Sequence, residues 1–230
     1  MAHLIERGHH VTIVTMTSGD CGTTEYPPDE ISRIRTGEAA SAAREVGAEY
    51  LCAGFRDLAV FNDDASRRRV TEVLRQIRPD IVITASPVDY HCDHEATSVL
   101  VRDACFGAPA PNYHQAGGPA IQAIPHLYFC DPDEGLDRDG NMVYPQFVVD
   151  VAPQIEKKSR MLERHESQRN WLKKHHGMDD YIDTMRMWTR SRGALVGFEY
   201  GEGFRQYRCH PYPRTPLLQD LIGDSMRTHS

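Results

Sequence analysis

Residues 70–84 read VTEVLRQIRPDIVIT, and this stretch decides the fold class. Its first half carries apolar residues at i, i+3, i+4 and i+7, the spacing of one face of an amphipathic helix. Pro79 ends this helix because proline cannot continue the helical hydrogen-bond ladder. Ile81 to Thr84 then form a nearly continuous apolar run, which is typical of a central parallel strand covered on both faces. The stretch therefore predicts a helix that leads into a buried strand.

The same alternation of strands and helices runs along the rest of the chain. Strands are predicted at residues 10–15, 50–52, 81–84, 127–130 and 147–149, and helices at about 29–46, 95–105 and 152–174. A further helix is predicted between the N-cap candidates at 62–64 and Pro79. Such alternation predicts an α/β protein with a parallel sheet and right-handed crossovers. Three prolines between His210 and Pro216 predict an extended C-terminal tail over residues 210–230.

Composition excludes several classes of protein. The chain has 26 basic and 33 acidic residues, a net charge of -7, which argues against a nucleic-acid partner. No window approaches the roughly 18 apolar residues of a membrane span. The six cysteines form no CxxC pair, and the first residues do not resemble a secretory signal. We therefore expect reduced thiols and a soluble, cytoplasmic protein.

The polar stretch from Asp89 to His94, DYHCDH, follows the strand at 81–84 and precedes a predicted helix. In open α/β sheets, ligands bind at this carboxyl edge of the strands. Two imidazoles three residues apart, with Asp89 and Asp93 beside them, offer the nitrogen ligands that zinc favours and carboxylates that can orient them. The alternative is a polar surface loop, since the chain contains 12 histidines.

The other histidines offer no obvious partner ligands, although a catalytic zinc normally takes three protein ligands. The pairs His9-His10 and His175-His176 are adjacent in sequence, so their rings point apart. We expect the isolated histidines to be structural: His114, His126 and His165.

Several further groups of residues match the signatures of one family. Arg78-Pro79-Asp80-Ile81-Val82, followed by His91, Asp93 and His94, matches an R-P-D-x-V strand and an H-x-D-H motif. The other matches are Glu6-Arg7-Gly8-His9 with residues 11–15, Gly19 and Gly22; Arg35, Glu38, Ala39 and Gly47; Asp150, Lys158, His165, Ser167 and Gln168; and Arg190, Arg192, Gly193, Gly197, Glu202 and Phe204. In this order and spacing, nearly the whole chain resembles the LmbE/PIG-L family of zinc-dependent N-acetylglucosaminyl deacetylases.

The resemblance implies a single domain over residues 1–230, with a Rossmann-like, mostly parallel sheet flanked by helices. The family's A-H-P-D-D-E segment, which supplies two zinc ligands and the general base, does not occur in this sequence. Leu4 to Gly8 is similar to the end of the helix that follows that segment. We therefore expect an N-terminally truncated chain in which the first strand of the family is absent.

The resemblance also assigns roles to four residues. It implies that His94 is a zinc ligand, and that His91 stabilises the oxyanion or protonates the leaving amine. Asp93 would orient His91, and Arg35 would contact the substrate; the alternative for Arg35 is an ordinary arginine on a helix surface. The implied cofactor is Zn²⁺, for which another divalent ion could substitute because imidazole and carboxylate ligands accept several. The remaining ligands are not in this chain.

The resemblance implies a metal-dependent hydrolase that removes an N-acetyl group from a small sugar-type substrate or similar amide. The alternative is an inactive fragment, or a binding or assembly module, that lacks two zinc ligands and the general base. A nucleotide-binding protein is a poorer interpretation, because no glycine-rich loop follows a strand. We expect neither a nucleic acid nor a membrane as a partner, and a homo-oligomer remains open.

Overall fold

The computed structural model describes residues 1–113, 118–176 and 181–229. The chain divides into two compact units, Met1–Ala59 with Asp150–Gly201, and Val60–Val149 with Glu202–Ser230. In chain order the elements are α1 (Ala2–Glu6), β1 (Thr12–Thr17), α2 (Pro28–Val46), β2 (Glu49–Phe55), α3 (Asp64–Ile77), β3 (Ile81–Thr84), α4 (Cys92–Gly107), β4 (His126–Cys130), β5 (Phe147–Asp150), α5 (Ile155–Glu163), α6 (Glu166–His176), α7 (Tyr181–Ala194), β6 (Gly201–Gln206), α8 (Leu217–Ile222) and β7 (Met226–Thr228).

The first unit is built on the parallel pair β1 and β2, in which Thr12 lies opposite Glu49. Helix α2 connects the two strands and ends at Gly47, whose φ of 79° is left-handed and therefore suits glycine. Apolar residues of α2 and the following turn form a buried cluster: Ala43, Val46 and Ala48. Ile5 of α1 packs against this cluster, so the short first helix covers part of the core.

The second unit holds a five-stranded sheet in the order β3-β4-β6-β5-β7. Strands β3 and β4 are parallel, whereas β4–β6 and β5–β7 are antiparallel pairs. The centre of this unit is fully buried: Leu100, Leu127, Tyr128, Phe147 and Val148. Asp63 caps α3 by accepting the Ser66 N–H at 2.8 Å, as expected for a helix N-cap.

The predicted α/β fold is confirmed, and β3 has the predicted bounds. The antiparallel pairs were not predicted, because a buried apolar strand has the same sequence pattern whichever way its neighbours run. The predicted helix at 152–174 is two helices, α5 and α6, separated by Arg164 and His165. The single domain over residues 1–230 stays a prediction.

The prediction of an extended tail over residues 210–230 is wrong beyond Pro216. Residues 217–222 form α8, and residues 226–228 form β7, which pairs with β5. Leu218 and Ile222 are buried, and the Tyr128 hydroxyl accepts the Leu218 N–H at 3.0 Å. The prediction was based on the prolines. The apolar residues that follow them are more stable when they are buried in the core than when they are exposed in an extended tail.

None of the helices over the described residues is both long enough and apolar enough to cross a lipid bilayer.

Candidate active site

His91 is the N-cap of α4, the helix that follows β3. Its Nδ1 accepts the backbone N–H of Asp93 at 3.2 Å. The first N–H groups of a helix have no partner within the helix, so a side chain that accepts one of them fixes the helix start. The accepting Nδ1 carries no proton in this arrangement, which places the proton of a neutral His91 on Nε2.

His94 lies in the first turn of α4 and is held by Asp89. Nδ1 of His94 lies 3.0 Å from Oδ1 of Asp89, whose residue is only 5% exposed. A carboxylate accepts hydrogen bonds, so Nδ1 of His94 donates, and in the neutral tautomer Nε2 would keep its lone pair. The same Oδ1 accepts the backbone N–H of His91 at 3.0 Å. One buried carboxylate therefore fixes both histidines.

The two imidazoles face each other. Their ring centroids are 4.7 Å apart with an angle of 29° between the planes. Tyr90 lies edge-on to both rings, at 5.7 Å from His91 and 5.8 Å from His94, and is 67% exposed. The loop thus presents two nitrogen bases and an exposed aromatic side chain at the end of a strand.

Acidic groups surround this loop. Asp133 lies at the surface, yet partial burial of its carboxyl group and, second, the charge of Asp89 raise the pKa of Asp133, and His94 opposes that rise. Glu95 accepts the Asp89 N–H at 3.0 Å and pairs with Arg138 at 2.6 Å. The negative charge around His94 favours a cation at its Nε2.

Asp93 holds His91 through its backbone N–H. Its carboxylate is buried, at 9% exposure for the residue, and Oδ1 accepts the Val60 N–H at 3.4 Å. These contacts fix the helix start. An orienting bond from the Asp93 carboxylate to the His91 ring stays a prediction.

Sequence comparison relates this site to a known family. The profile described as "PIG-L: GlcNAc-PI de-N-acetylase" matches residues 1–105, which include the histidine loop and the start of α4. Over these residues the chain is similar to the PIG-L/LmbE family.

Individual relatives extend the PIG-L match towards the C-terminus. Diacetylchitobiose deacetylase of Thermococcus kodakarensis is 26% identical over 220 residues, which cover 88% of this chain and 74% of that protein. The 1D-myo-inositol 2-acetamido-2-deoxy-alpha-D-glucopyranoside deacetylase of Salinispora arenicola is 27% identical, over 59% of this chain. The chain spans 62% of the length of that protein.

A solved structure supports the PIG-L fold. N,N'-diacetylchitobiose deacetylase from Pyrococcus horikoshii matches with a TM-score of 0.75 and 24% identity, over 94% of this chain and 80% of that one. At this level of identity, the match establishes the shared fold.

Arg35, the predicted substrate contact, belongs to the first unit and binds a loop. Its Nη1 donates to the Gly19 carbonyl at 3.0 Å, and its Nη2 to the Gly22 carbonyl at 2.7 Å. Burial lowers the pKa of this guanidinium, and the charges of Asp57 and Glu38 oppose that shift. A contact between Arg35 and substrate stays a prediction. His91, Asp93 and His94 lie together in the second unit.

The first unit contains one further group of potential metal ligands, which the sequence did not reveal. Over the described residues, Asp20, Cys21 and Asp57 are the one set of three such side chains whose ligand atoms lie within 4.8 Å of one another. Asp20 accepts the Asp57 N–H at 2.7 Å and the Arg56 Nε at 3.1 Å. An arginine already neutralises this carboxylate, so the group fits a structural turn better than a cation site.

The structure describes two of the isolated histidines, and their structural role stays a prediction. His126 bonds the Thr215 hydroxyl at 2.8 Å, and burial lowers the pKa of His165. His114 and the side chains of His175 and His176 lie outside the described residues.

Proposed function

We propose that this protein is a metal-dependent amide hydrolase that removes the acetyl group from a small N-acetylglucosamine-type sugar. The observation that carries the proposal is the Asp89–His94 pair, which engages Nδ1 of His94 and leaves Nε2 of this imidazole outside that bond after β3. The names of the relatives support the substrate class, because they describe deacetylases of diacetylchitobiose and of a 2-acetamido-2-deoxy-glucopyranoside.

His94 fits the requirements of one metal ligand. Metal-binding histidines usually donate their second ring nitrogen to a carboxylate or carbonyl, as Nδ1 of His94 does to Asp89. Among the described residues, no group of three potential ligands includes His94. We assign the remaining ligands to the family's A-H-P-D-D-E segment, which this sequence does not contain. We propose zinc, although imidazole and carboxylate ligands also accept other divalent ions.

A divalent ion at His94 would polarise the acetyl carbonyl and lower the pKa of a water molecule. The reaction adds water to the carbonyl carbon, breaks the C–N bond and releases acetate and a free amine. His91 contributes the proton chemistry. Because its Nδ1 is engaged by the Asp93 N–H, Nε2 is the atom that can hydrogen-bond the oxyanion and transfer a proton to the leaving nitrogen.

Asp89 and Asp93 act as positioning residues in this scheme. Asp89 fixes the ring of His94 and the main chain of His91, and Asp93 fixes the ring of His91 through its backbone N–H. Arg35 is proposed to act on the substrate. Arg35 would also fix the shape of the loop at Gly19 and Gly22, because its guanidinium donates to both of these carbonyls.

The test uses the protein in a form that carries the A-H-P-D-D-E segment. Incubation with N,N'-diacetylchitobiose should release acetate, and the dialysed protein should hold about one divalent ion per chain. His94→Ala should abolish both, whereas the exposed His10→Ala should change neither. Acetate release that survives His94→Ala, or no turnover by metal-loaded protein, would refute the proposal.

A further inference from the structure

A cleft of about 260 Å³ opens in the first unit, lined by α2, α6 and the segment before α2. Ile31 and Ile34 of α2 are apolar lining residues of the cleft, and Ile31 is almost fully buried, at 1% exposure. Trp171 of α6 and Tyr26, which is 41% exposed, supply aromatic surface. The cleft is smaller than the roughly 300–1,000 Å³ of pockets for drug-sized molecules, so it suits a single small ring.

Hydrogen bonds hold the walls of this cleft together. The carboxylate of Glu38 on α2 accepts the Ser167 backbone N–H at 2.8 Å and the Ser167 hydroxyl at 2.7 Å. These bonds anchor the first turn of α6 to α2. At the other end of α6, Lys174 pairs with Glu25 at 2.6 Å. The aromatic and polar groups are therefore presented by anchored elements.

The polar lining carries an excess of negative charge. Three carboxylates, Glu25, Glu38 and Glu166, line the cleft beside a single ammonium, that of Lys174. The ammonium of Lys174 pairs with the carboxylate of Glu25, and the hydroxyl of Ser167 donates a hydrogen bond to the carboxylate of Glu38. Glu166 is an exposed residue in the first turn of α6. Aromatic faces also attract cations. The lining matches a small ligand with an apolar face, hydroxyl groups and one positive charge.

We propose that this cleft binds an amino sugar in its ammonium form, with the ring against Trp171 and Tyr26 and the ammonium near Glu166. The choice of a sugar rests on the proposed function, since removal of an acetyl group converts a neutral amide into a cationic amine. The cleft, which belongs to the first unit, should thus bind the cationic product more tightly than the neutral, acetylated substrate.

The experiment exploits the two tryptophans of the chain, Trp171 and Trp188. In a Trp188→Phe variant, Trp171 is the single tryptophan, and its fluorescence reports on the cleft. Titration with glucosamine, N-acetylglucosamine and glucose at equal ionic strength should give saturable quenching. Glucosamine should bind about five-fold more tightly than the two neutral sugars, because one charge–charge contact contributes about 1 kcal/mol near water.

Matched variants distinguish the effect of the Glu166 charge on binding from a general effect of substitution on the fold. Glu166→Gln should remove the preference for glucosamine and leave the weak response to neutral sugars. Glu163→Gln, an exposed position on α5 outside the cleft, should preserve the preference. In a Trp171→Phe variant, Trp188 should not respond. Equal affinities for the three sugars, no saturable response at Trp171, or a preference that survives Glu166→Gln would overturn the proposal.

This readout needs no catalysis. Binding should persist in a His94→Ala variant, which the proposed function makes inactive. In metal-loaded protein with an intact His94, glucosamine binding without acetate release would refute the hydrolase and keep the cleft. Acetate release without glucosamine binding would do the reverse.

Discussion

Asp89 accepts a hydrogen bond from Nδ1 of His94 at 3.0 Å, and this carboxylate is almost fully buried. The bond selects the tautomer of His94 and directs the remaining lone pair to Nε2. Under the proposed function, Asp89 would therefore tune the metal affinity of His94 through this bond.

Asp89→Asn should weaken metal binding by about 10- to 100-fold in protein that carries the complete ligand set, because the carboxylate no longer fixes and polarises the ring. Competition with a chromophoric chelator measures this affinity. Asp139→Asn, at an exposed turn position, is the matched control. If Asp89→Asn binds the ion as tightly as the parent protein, the bond to His94 has no role in metal binding.

His91→Asn should separate catalysis from helix capping. Asparagine is a good N-cap, so α4 should keep its stability, whereas the loss of the imidazole should lower kcat by about 10²- to 10⁴-fold with the metal retained. His91→Ala should lose the same rate and also about 1 kcal/mol of unfolding free energy. Urea unfolding, metal analysis and acetate release measure the three effects. Loss of metal from His91→Asn would show that His91 is a ligand.

Gly37 and Gly193 both lie in helices, yet alanine should act in opposite directions at the two positions. A Cβ at Gly37 of α2 meets no atom within 4 Å, so Gly37→Ala should stabilise by about 0.5–1 kcal/mol. A Cβ at Gly193 of α7 would lie 2.8 Å from backbone atoms of Phe198, Tyr200 and Gly201. Gly193→Ala should therefore destabilise by about 1–3 kcal/mol. Urea midpoints that shift in the same direction would contradict the packing at α7.

Arg35→Lys should destabilise the first unit by about 2 kcal/mol, since one ammonium cannot reproduce the two bonds of the guanidinium to the carbonyls of Gly19 and Gly22. Arg33→Lys, at an exposed position of the same helix, should change the unfolding free energy by less than about 0.5 kcal/mol. Equal effects of the two substitutions in urea unfolding would show that the loop does not depend on Arg35.

His165 should make the protein less stable in mild acid. The pKa of His165 is lowered, mainly because the imidazole is buried. The charge of Glu38 opposes this shift, and the charge of Arg35 adds to it. The folded protein therefore binds this proton less readily than the unfolded chain, and stability falls as the pH drops below the ordinary histidine pKa of about 6.5. The loss ends once the pH passes below the lowered pKa.

Urea unfolding at pH 7.5 and 5.5 measures this dependence. His165→Gln should lose less unfolding free energy over that interval than the parent chain, and the exposed His10→Gln should lose as much as the parent. Equal losses in the parent chain and His165→Gln would exclude His165 as the source.

The sequence predicted those elements whose pattern is local. Residues 70–84 carry both periodicities, so α3 and β3 were predicted almost to the residue. The histidine loop was found for the same reason, because its groups are contiguous in sequence. The break between α5 and α6 was missed because it depends on Glu38, which caps Ser167 from 129 positions away.

Long-range partners were beyond the sequence pattern. Three contacts depend on the fold: the pairing of β7 with β5, the hydrogen bond from Arg35 to the Gly19 carbonyl, and the close approach of Asp20 and Asp57. A single chain shows which residues are apolar or ionisable. It does not show which distant segment satisfies each of them.

The pairing of β7 with β5 has a practical consequence for handling the protein. Met226 to Thr228 occupy the outer hydrogen-bonding edge of β5, whose Phe147, Val148 and Val149 are buried and apolar. Trimming the last five residues, or fusing a bulky tag against them, would uncover an unpaired apolar strand that can recruit the same strand from another molecule. Self-association of such shortened samples would then result from the loss of β7 as the edge strand, and would not indicate native assembly.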